Sequence, residues 1–491
     1  MDKSKRKYYG ETILELIEYS QNRSLVIGTS VCKSRRELET RLKKIVYFKK
    51  SKKIVMGISL IATILFASTS VFAANNITSN ATIKPNEFAV FVANDGLYMS
   101  DLKENKPVKL DEGVAEIKLP IISRDGLYVS YMKRDVLYVC NIKTNEKVEV
   151  AKDTVSYDWD SKSELIYSTK NTGISMYNTS TKKSIDIINN EYKYYNIKCD
   201  SKNKVYANKE HDYNEEKNTK DLGIISYDLD NKAEKLILEG KTGTNKELKE
   251  EDTNAETFES LGSTPNISQI SKDDKYIYIW NKPKAGSLSA DMTQYAVYDI
   301  LNNKFIEFNN DNAYALAYKD NISQNPVNSN LVALNSGIYR DMFSNKTLGI
   351  LNTNNNTFTN LLPENQVSMT PCYSEDGKNI LYSGATELDG KDVKSSLKTW
   401  KSEPHNIYEV NSETKKITQI TNGKYFDFMP TYLSNNEILF VRGDGDSFSL
   451  WKTKDGVEAN LGGSLNFNSE YANSWYYGHY KTEMIMDVFT K

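Results

Sequence analysis

Cysteine is scarce in this chain, four in 491 residues, at Cys32, Cys140, Cys199 and Cys372, with no C-x-x-C pair and no close spacing. That excludes a disulfide framework and a cysteine-rich zinc site. Buried free thiols are expected, with a Cys140–Cys199 bridge as the alternative. Histidine is scarcer still: His211, His405 and His479 stand alone, and none lies in H-E-x-x-H or another zinc pattern. A metallopeptidase centre is therefore excluded, and no metal or cofactor is implied. No G-x-S-x-G nucleophile elbow occurs either, and no stretch is left for an α/β-hydrolase domain. The formal net charge of -2 leaves no basic surplus of the kind that marks nucleic-acid binding.

What is present begins with twenty uncharged residues, Ile54 to Ala73 (IVMGISLIATILFASTSVFA), directly after a basic run at Lys49 to Lys53. About 20 apolar residues cross a bilayer as a helix, the form that satisfies its own backbone there. Cut at this stretch, the chain becomes asymmetric: residues 1–53 carry fifteen Lys/Arg against six Asp/Glu, a net of +9, which leaves -11 for the remainder of the total of -2. Basic segments beside a span stay cytoplasmic. The expected organisation is a cytoplasmic basic helical segment at 1–53, a transmembrane helix at 54–73, a linker at 74–85 and an extracytoplasmic domain at 86–491. Small residues at Ala73 and Ala74 also fit a cleavable signal peptide. A stretch of 53 residues ahead of the apolar core is far longer than such signals carry, which favours a retained anchor.

Ahead of the span, Ile13, Leu14 and Ile17, and then Leu38, Leu42 and Ile45, recur at helical spacing. Ser34 and Glu37 form a capping box that opens the second helix. Arg35, Arg36, Arg41, Lys43 and Lys44 give that helix a basic face, suited to anionic headgroups or simply solvated. The string YGETILEL at residues 9–16, followed by SRRELETRLKKIVYFKKSKK and a span ending in SVFA, resembles the C-terminal end of the BlaR/MecR-type membrane metallopeptidase region. The resemblance covers about one seventh of the chain. In that family the H-E-x-x-H motif lies upstream of the YG helix; the motif is absent from this sequence, so no peptidase residue carries over.

From Phe88 onward the pattern changes to short apolar and aromatic runs separated by Asn, Asp, Gly and Ser, an all-β signature. The clearest unit, IISRDGLYVSYMKRDVLYVCNIKTNEKVEV at residues 121–150, reads as four strands with a polar turn at Ser123 to Gly126. Its turn and second strand recur at residues 160–168, 200–208, 271–280, 374–384 and 434–443, with a weaker copy at 325–335. Seven units at roughly 40–60 residues predict a β-propeller with a central channel. Residues 88–110 look like a blade without its first strand, and residues 480–489 would supply it, so that the two ends of the domain close the ring. The count is seven full blades plus a split eighth, or seven if the split blade merges with a neighbour. The units resemble TolB-type and dipeptidyl-peptidase-type propeller repeats in their S-x-D-G-x-x-x-x-Y pattern, a resemblance that implies architecture and no particular activity.

The candidate sites are few. Asp444 and Asp446 in GDGDS (residues 443–447) could hold a cation but read first as a hairpin turn. Arg442, Gly443 and Asp444 form an RGD tripeptide of the kind that occurs by chance. Two long polar insertions, residues 240–262 between the third and fourth full units and residues 389–405 within the sixth, are loops where binding residues collect or plain spacers. The 33 tyrosines are expected mainly between blades, with a few facing a ligand. The expected function is a non-enzymatic, membrane-anchored surface sensor or binding protein whose propeller takes a protein, peptide or cell-wall-derived ligand. The alternative is the non-catalytic part of a split or degenerate BlaR/MecR-like signalling system. Ring closure predicts that a chain ending at Gly478 melts lower or aggregates.

Overall fold

The repeating turn forms because its first side chain satisfies backbone groups that the turn would otherwise leave bare. The protein is described here from a computed structural model, which covers residues 87–490 apart from 114–115, 171–172, 211–220, 243–261, 285–292, 309–310, 391 and 475–476. At the first full unit, Ser123 Oγ donates to Asp125 Oδ1 (2.6 Å) and accepts from Tyr128 N (2.9 Å), while Asp125 Oδ1 accepts from Leu127 N (3.0 Å). The same set recurs at Ser271 and Asp273 and at Ser374 and Asp376. In the second and third units an aspartate replaces the serine: Asp160 and Asp200 each accept from the backbone N–H two and four residues on. The fourth turn position is left-handed in all five, filled by Gly126, Ser163, Asn203, Asp274 and Gly377. At Gly126 glycine is required twice, because φ is +71° and an added Cβ would lie 2.9 Å from the Phe489 ring.

These units build a ring of eight sheets. Seven follow chain order and are numbered as full blades: blade 1 (117–152), blade 2 (154–188), blade 3 (193–238), blade 4 (262–307), blade 5 (322–360), blade 6 (366–419) and blade 7 (426–462). Blade 4 gains two short strands, Lys241–Thr242 on its first strand and Tyr314–Ala315 on its third. The eighth blade is split. Glu87–Ala93, Gly96–Ser100 and Val108–Glu112 come from the start of the domain, and Met486–Thr490 joins Glu87–Ala93 in antiparallel register from Glu87↔Thr490 to Phe91↔Met486. The count is eight, and the closure expected from the two ends of the domain is found.

Two sets of contacts hold blade to blade. Near the axis, a side chain on one first strand accepts a backbone N–H from the next blade's first strand. Asp487 does this for Ile122 (2.8 Å), Ser156 for Ile197 (2.9 Å), Asp158 for Cys199 (2.9 Å), Ser323 for Tyr373 (3.0 Å) and Thr370 for Met429 (3.0 Å). Strand edges that would otherwise be open are thereby satisfied. Along the turns, Asp125 N donates to Ser163 Oγ, Ser161 Oγ to Asn203, Ser201 N to Asp274, Ser329 Oγ to Asp273, Asn325 Nδ2 to Gly377 O and Ser434 N to Glu87. Between the sheets lie the aromatics: Tyr131, Tyr194, Tyr206, Tyr278, Tyr295 and Tyr382 are fully buried, as expected of most tyrosines.

Residues 389–405 are not simply a loop. They contain helix α1 (Val393–Ser402), opened by Asp392, whose side chain accepts from Ser395 N. Trp400 anchors it, buried, with Nε1 donating to Gly478 O at 2.9 Å. The other insertion, residues 240–262, leaves and re-enters at paired ends, Lys241↔Ser263 and Thr242↔Gly262; residues 243–261 lie outside the described residues. So do the expected cytoplasmic helices, the span at 54–73, the linker at 74–85 and His211. Among the described residues no helix is long and apolar enough to cross a membrane.

Candidate functional site

Four first strands bend where they line the axis. A residue with φ near +50° sits in a register shift in blades 1, 3, 6 and 7, at Leu119, Asn196, Thr370 and Met429. Such bulges turn a strand and re-aim its side chains. Two connecting segments enter the axis as well. One brings the 3-10 turn Lys319–Asn321 and the other the 3-10 turn Thr482–Met484, and the two turns touch. They are tied by Asp320, which accepts from His479 Nε2 (3.0 Å) and Thr482 Oγ1 (2.7 Å), with His479 stacked on Tyr318 at 4.2 Å. Beside blade 7 the space is packed by Phe426, Phe428, Phe448, Phe467 and Tyr480, mostly edge to face.

On the side of blades 1 to 4 the axis stays open. A cavity of about 480 Å³ lies there, lined by the first strands of those blades and by the two turns. Its ionisable lining is uneven: Lys118, Lys198, Lys282 and Lys319 face Asp135 and Glu483. Lys118 lies over the Tyr471 ring at 4.2 Å, and Asp135 is near Lys170 at 3.8 Å. Among the described residues the side-chain ammonium groups of Lys198, Lys282 and Lys319 have no hydrogen-bond or ion-pair partner. Burial pushes Lys198 below the usual lysine range; Asp158 and Glu483 oppose that shift and Lys319 adds to it. Lys282 is lowered by burial and by Lys481. Burial and the nearby Asp320 raise Glu483, whose Oε2 is buried without a hydrogen-bond partner. The cavity is a partly desolvated, cation-rich pocket within the size range of small-molecule sites.

The residues singled out by sequence do not meet there. Asp444 and Asp446 line a separate cavity of about 530 Å³ beside α1, together with Lys398, Lys401 and Lys424. Lys401 binds Asp446 at 2.6 Å and holds its carboxyl below the usual range. Asp444 pairs with Ser447 across a hairpin whose turn includes Gly445 at φ +61°, so the turn reading holds. The RGD tripeptide is structural at its first residue. Arg442 is buried, binds Asp427 through Nε (2.7 Å) and Nη2 (2.8 Å), reaches Glu458, and lies against Tyr425, Phe440 and Trp451.

His405 and His479 are far apart in role and neither joins a metal cluster. Among the described residues no group of three or more His, Cys, Asp or Glu is placed to hold a metal. His405 Nδ1 donates to Glu403 O (2.9 Å), and its ring packs on Trp400 and Phe426. Cys140, Cys199 and Cys372 are free thiols, so the Cys140–Cys199 bridge does not form. Of the tyrosines, Tyr157 and Tyr195 line the axial cavity. The cavity lysines carry no sequence mark, because they stand at unlike positions in their units: Lys118 and Lys198 on first strands, Lys282 on a second strand and Lys319 in a connection.

No family model matches the chain, and no curated protein does. Similar solved structures include an oligogalacturonate lyase from Vibrio parahaemolyticus (12% identity, 74% of this chain and 96% of that one, TM-score 0.41). Others are TolB from Acinetobacter baumannii (12%, 69% and 64%, 0.33) and a prolyl endopeptidase (12%, 75% and 54%, 0.44).

Proposed function

We propose that this chain is a non-catalytic, membrane-anchored surface sensor or binding protein, with its N-terminus in the cytoplasm, residues 54–73 as the single span and the propeller outside the cell. The axial cavity is the ligand site, and its unpaired lysines are the observation that carries this reading. The +9 segment before an uncharged twenty-residue stretch supports the anchoring and its direction. The absence of H-E-x-x-H and G-x-S-x-G from the sequence supports a binding role. A second reading rests on YGETILEL and the segments that follow it: the chain is then the non-catalytic part of a split BlaR/MecR-like system, and a separate peptidase chain co-purifies with it.

Thiol labelling on intact cells tests the arrangement. Asn231 lies on an exposed turn of the propeller. Asn231→Cys should react with a membrane-impermeant maleimide and Lys5→Cys should not. The reverse pattern would refute the orientation.

A further inference from the structure

The cavity lysines are unusual because the fold does not use them. Among the described residues no carboxylate lies within ion-pair distance of these three lysines, and the nearby ones hold other donors: Asp158 accepts from Cys199 N, Asp320 from His479 and Thr482, and Asp487 from Ile122 N. Lys198, Lys282 and Lys319 come from blade 3, blade 4 and the turn Lys319–Asn321, elements separated widely in sequence, and the ring brings all three to one pocket. Bringing like charges together in a partly desolvated space is unfavourable unless an opposite charge joins them. Surface lysines normally avoid this by reaching into water, and Lys198 and Lys282 are half-buried. Of the two lining carboxyls, Asp135 lies 3.8 Å from Lys170, outside this set of lysines, and burial together with Asp320 raises Glu483, which weakens it as a counter-charge.

We propose that the axial cavity binds a small oligoanion, a molecule bearing two or more carboxylate or phosphate groups, through Lys198, Lys282 and Lys319. This rests on the cavity being the ligand site. Ammonium groups act as point charges and bind either kind of oxyanion. Three of them spread around a pocket of about 480 Å³ select a ligand whose charges are separated and not a single anion. Tyr195, half-buried and also in the lining, offers apolar surface for the ligand's uncharged part.

The test is isothermal titration of the full chain in detergent with two probes, citrate for carboxylates and pyrophosphate for phosphates. At least one should bind. Each of Lys198→Gln, Lys282→Gln and Lys319→Gln should weaken that probe about tenfold, the loss of one charge-assisted contact. Lys398→Gln, on α1 and away from this cavity, should leave binding unchanged. Lys319 is exposed, so its variant has no reason to misfold and keeps the test decisive. Binding of citrate alone or of pyrophosphate alone assigns the oxyanion class. If neither probe binds, or if Lys319→Gln binds as tightly as the parent, the inference is overturned. Outward labelling of Asn231→Cys with no anion bound refutes this inference and leaves the proposed function standing. Anion binding with Asn231→Cys labelled only in broken cells does the opposite.

Discussion

Ending the chain after Ile485 removes one strand, Met486–Thr490, and with it the closure of the ring. The deleted strand carries Met486, which is buried, and Phe489, which stacks on Phe88 with centroids 5.2 Å apart. It also carries Asp487, which accepts from Ile122 N in the neighbouring blade. Backbone pairing at about 1 kcal/mol per bond and burial of two large side chains at about 2 kcal/mol each come to roughly 10 kcal/mol. Release of the five strand residues returns roughly 1–2 kcal/mol of conformational freedom each, so a net loss of about 3 kcal/mol remains. For a domain of this size that lowers the melting temperature by only about 3–6 °C. The larger consequence is a bare edge on Glu87–Ala93, a template for association with other chains. The assay is thermal unfolding followed by circular dichroism, with size-exclusion chromatography beside it. Phe489→Ala, which keeps the strand and loses the stack, should fall between parent and truncation. A truncated chain that melts with the parent and elutes as one narrow peak would refute the closure argument.

Two further perturbations read the interior. Burial pushes His405 down from 6.5 to about 3, so the folded chain keeps it neutral while the unfolded chain takes up a proton below 6.5. Its contribution is therefore present in full above that pH and is lost as the pH falls toward 3, reaching about 2 kcal/mol by about pH 5. The stability gap between parent and His405→Gln, measured by urea unfolding at about pH 7.5 and about pH 5, should narrow by about that amount; a constant gap would contradict it. Arg442→Met leaves Asp427 buried without its cation and should cost about 3–5 kcal/mol in the same assay, with Asp427→Asn recovering part of the loss. A cost under about 1 kcal/mol, the level of a surface pair, would mean that the pair is not buried in solution.

The ring was readable from sequence because its determinants are local and repeated. Ser123, Ser271 and Ser374, each followed two residues on by an aspartate, declare their turns, and the alternating runs after them declare second strands. Closure by residues near 489 followed from counting strands. Blade 5 was the faintest copy, and its first strand is indeed only Ile322–Gln324, three residues long. Helix α1 was missed because one buried residue, Trp400, anchors it, too little to create a helical period. The cavity was illegible for a different reason. Lys118 and Lys319 are 201 positions apart, and only the circular arrangement of the blades makes them neighbours. RGD misleads in the opposite way, since a local string says nothing about Arg442 being folded inward onto Asp427.

Ala317 lines the axial cavity and is small enough to become cysteine with little change in volume. Alkylation of Ala317→Cys by an impermeant maleimide on intact cells, with and without the probe that binds, asks at once where the cavity is and whether it is the ligand site. The background is the parent chain, whose described thiols are two buried and one half-buried. The expected result is labelling from outside, slowed severalfold by the bound anion. Labelling that requires broken cells, or that proceeds at the same rate with the cavity saturated, would contradict it.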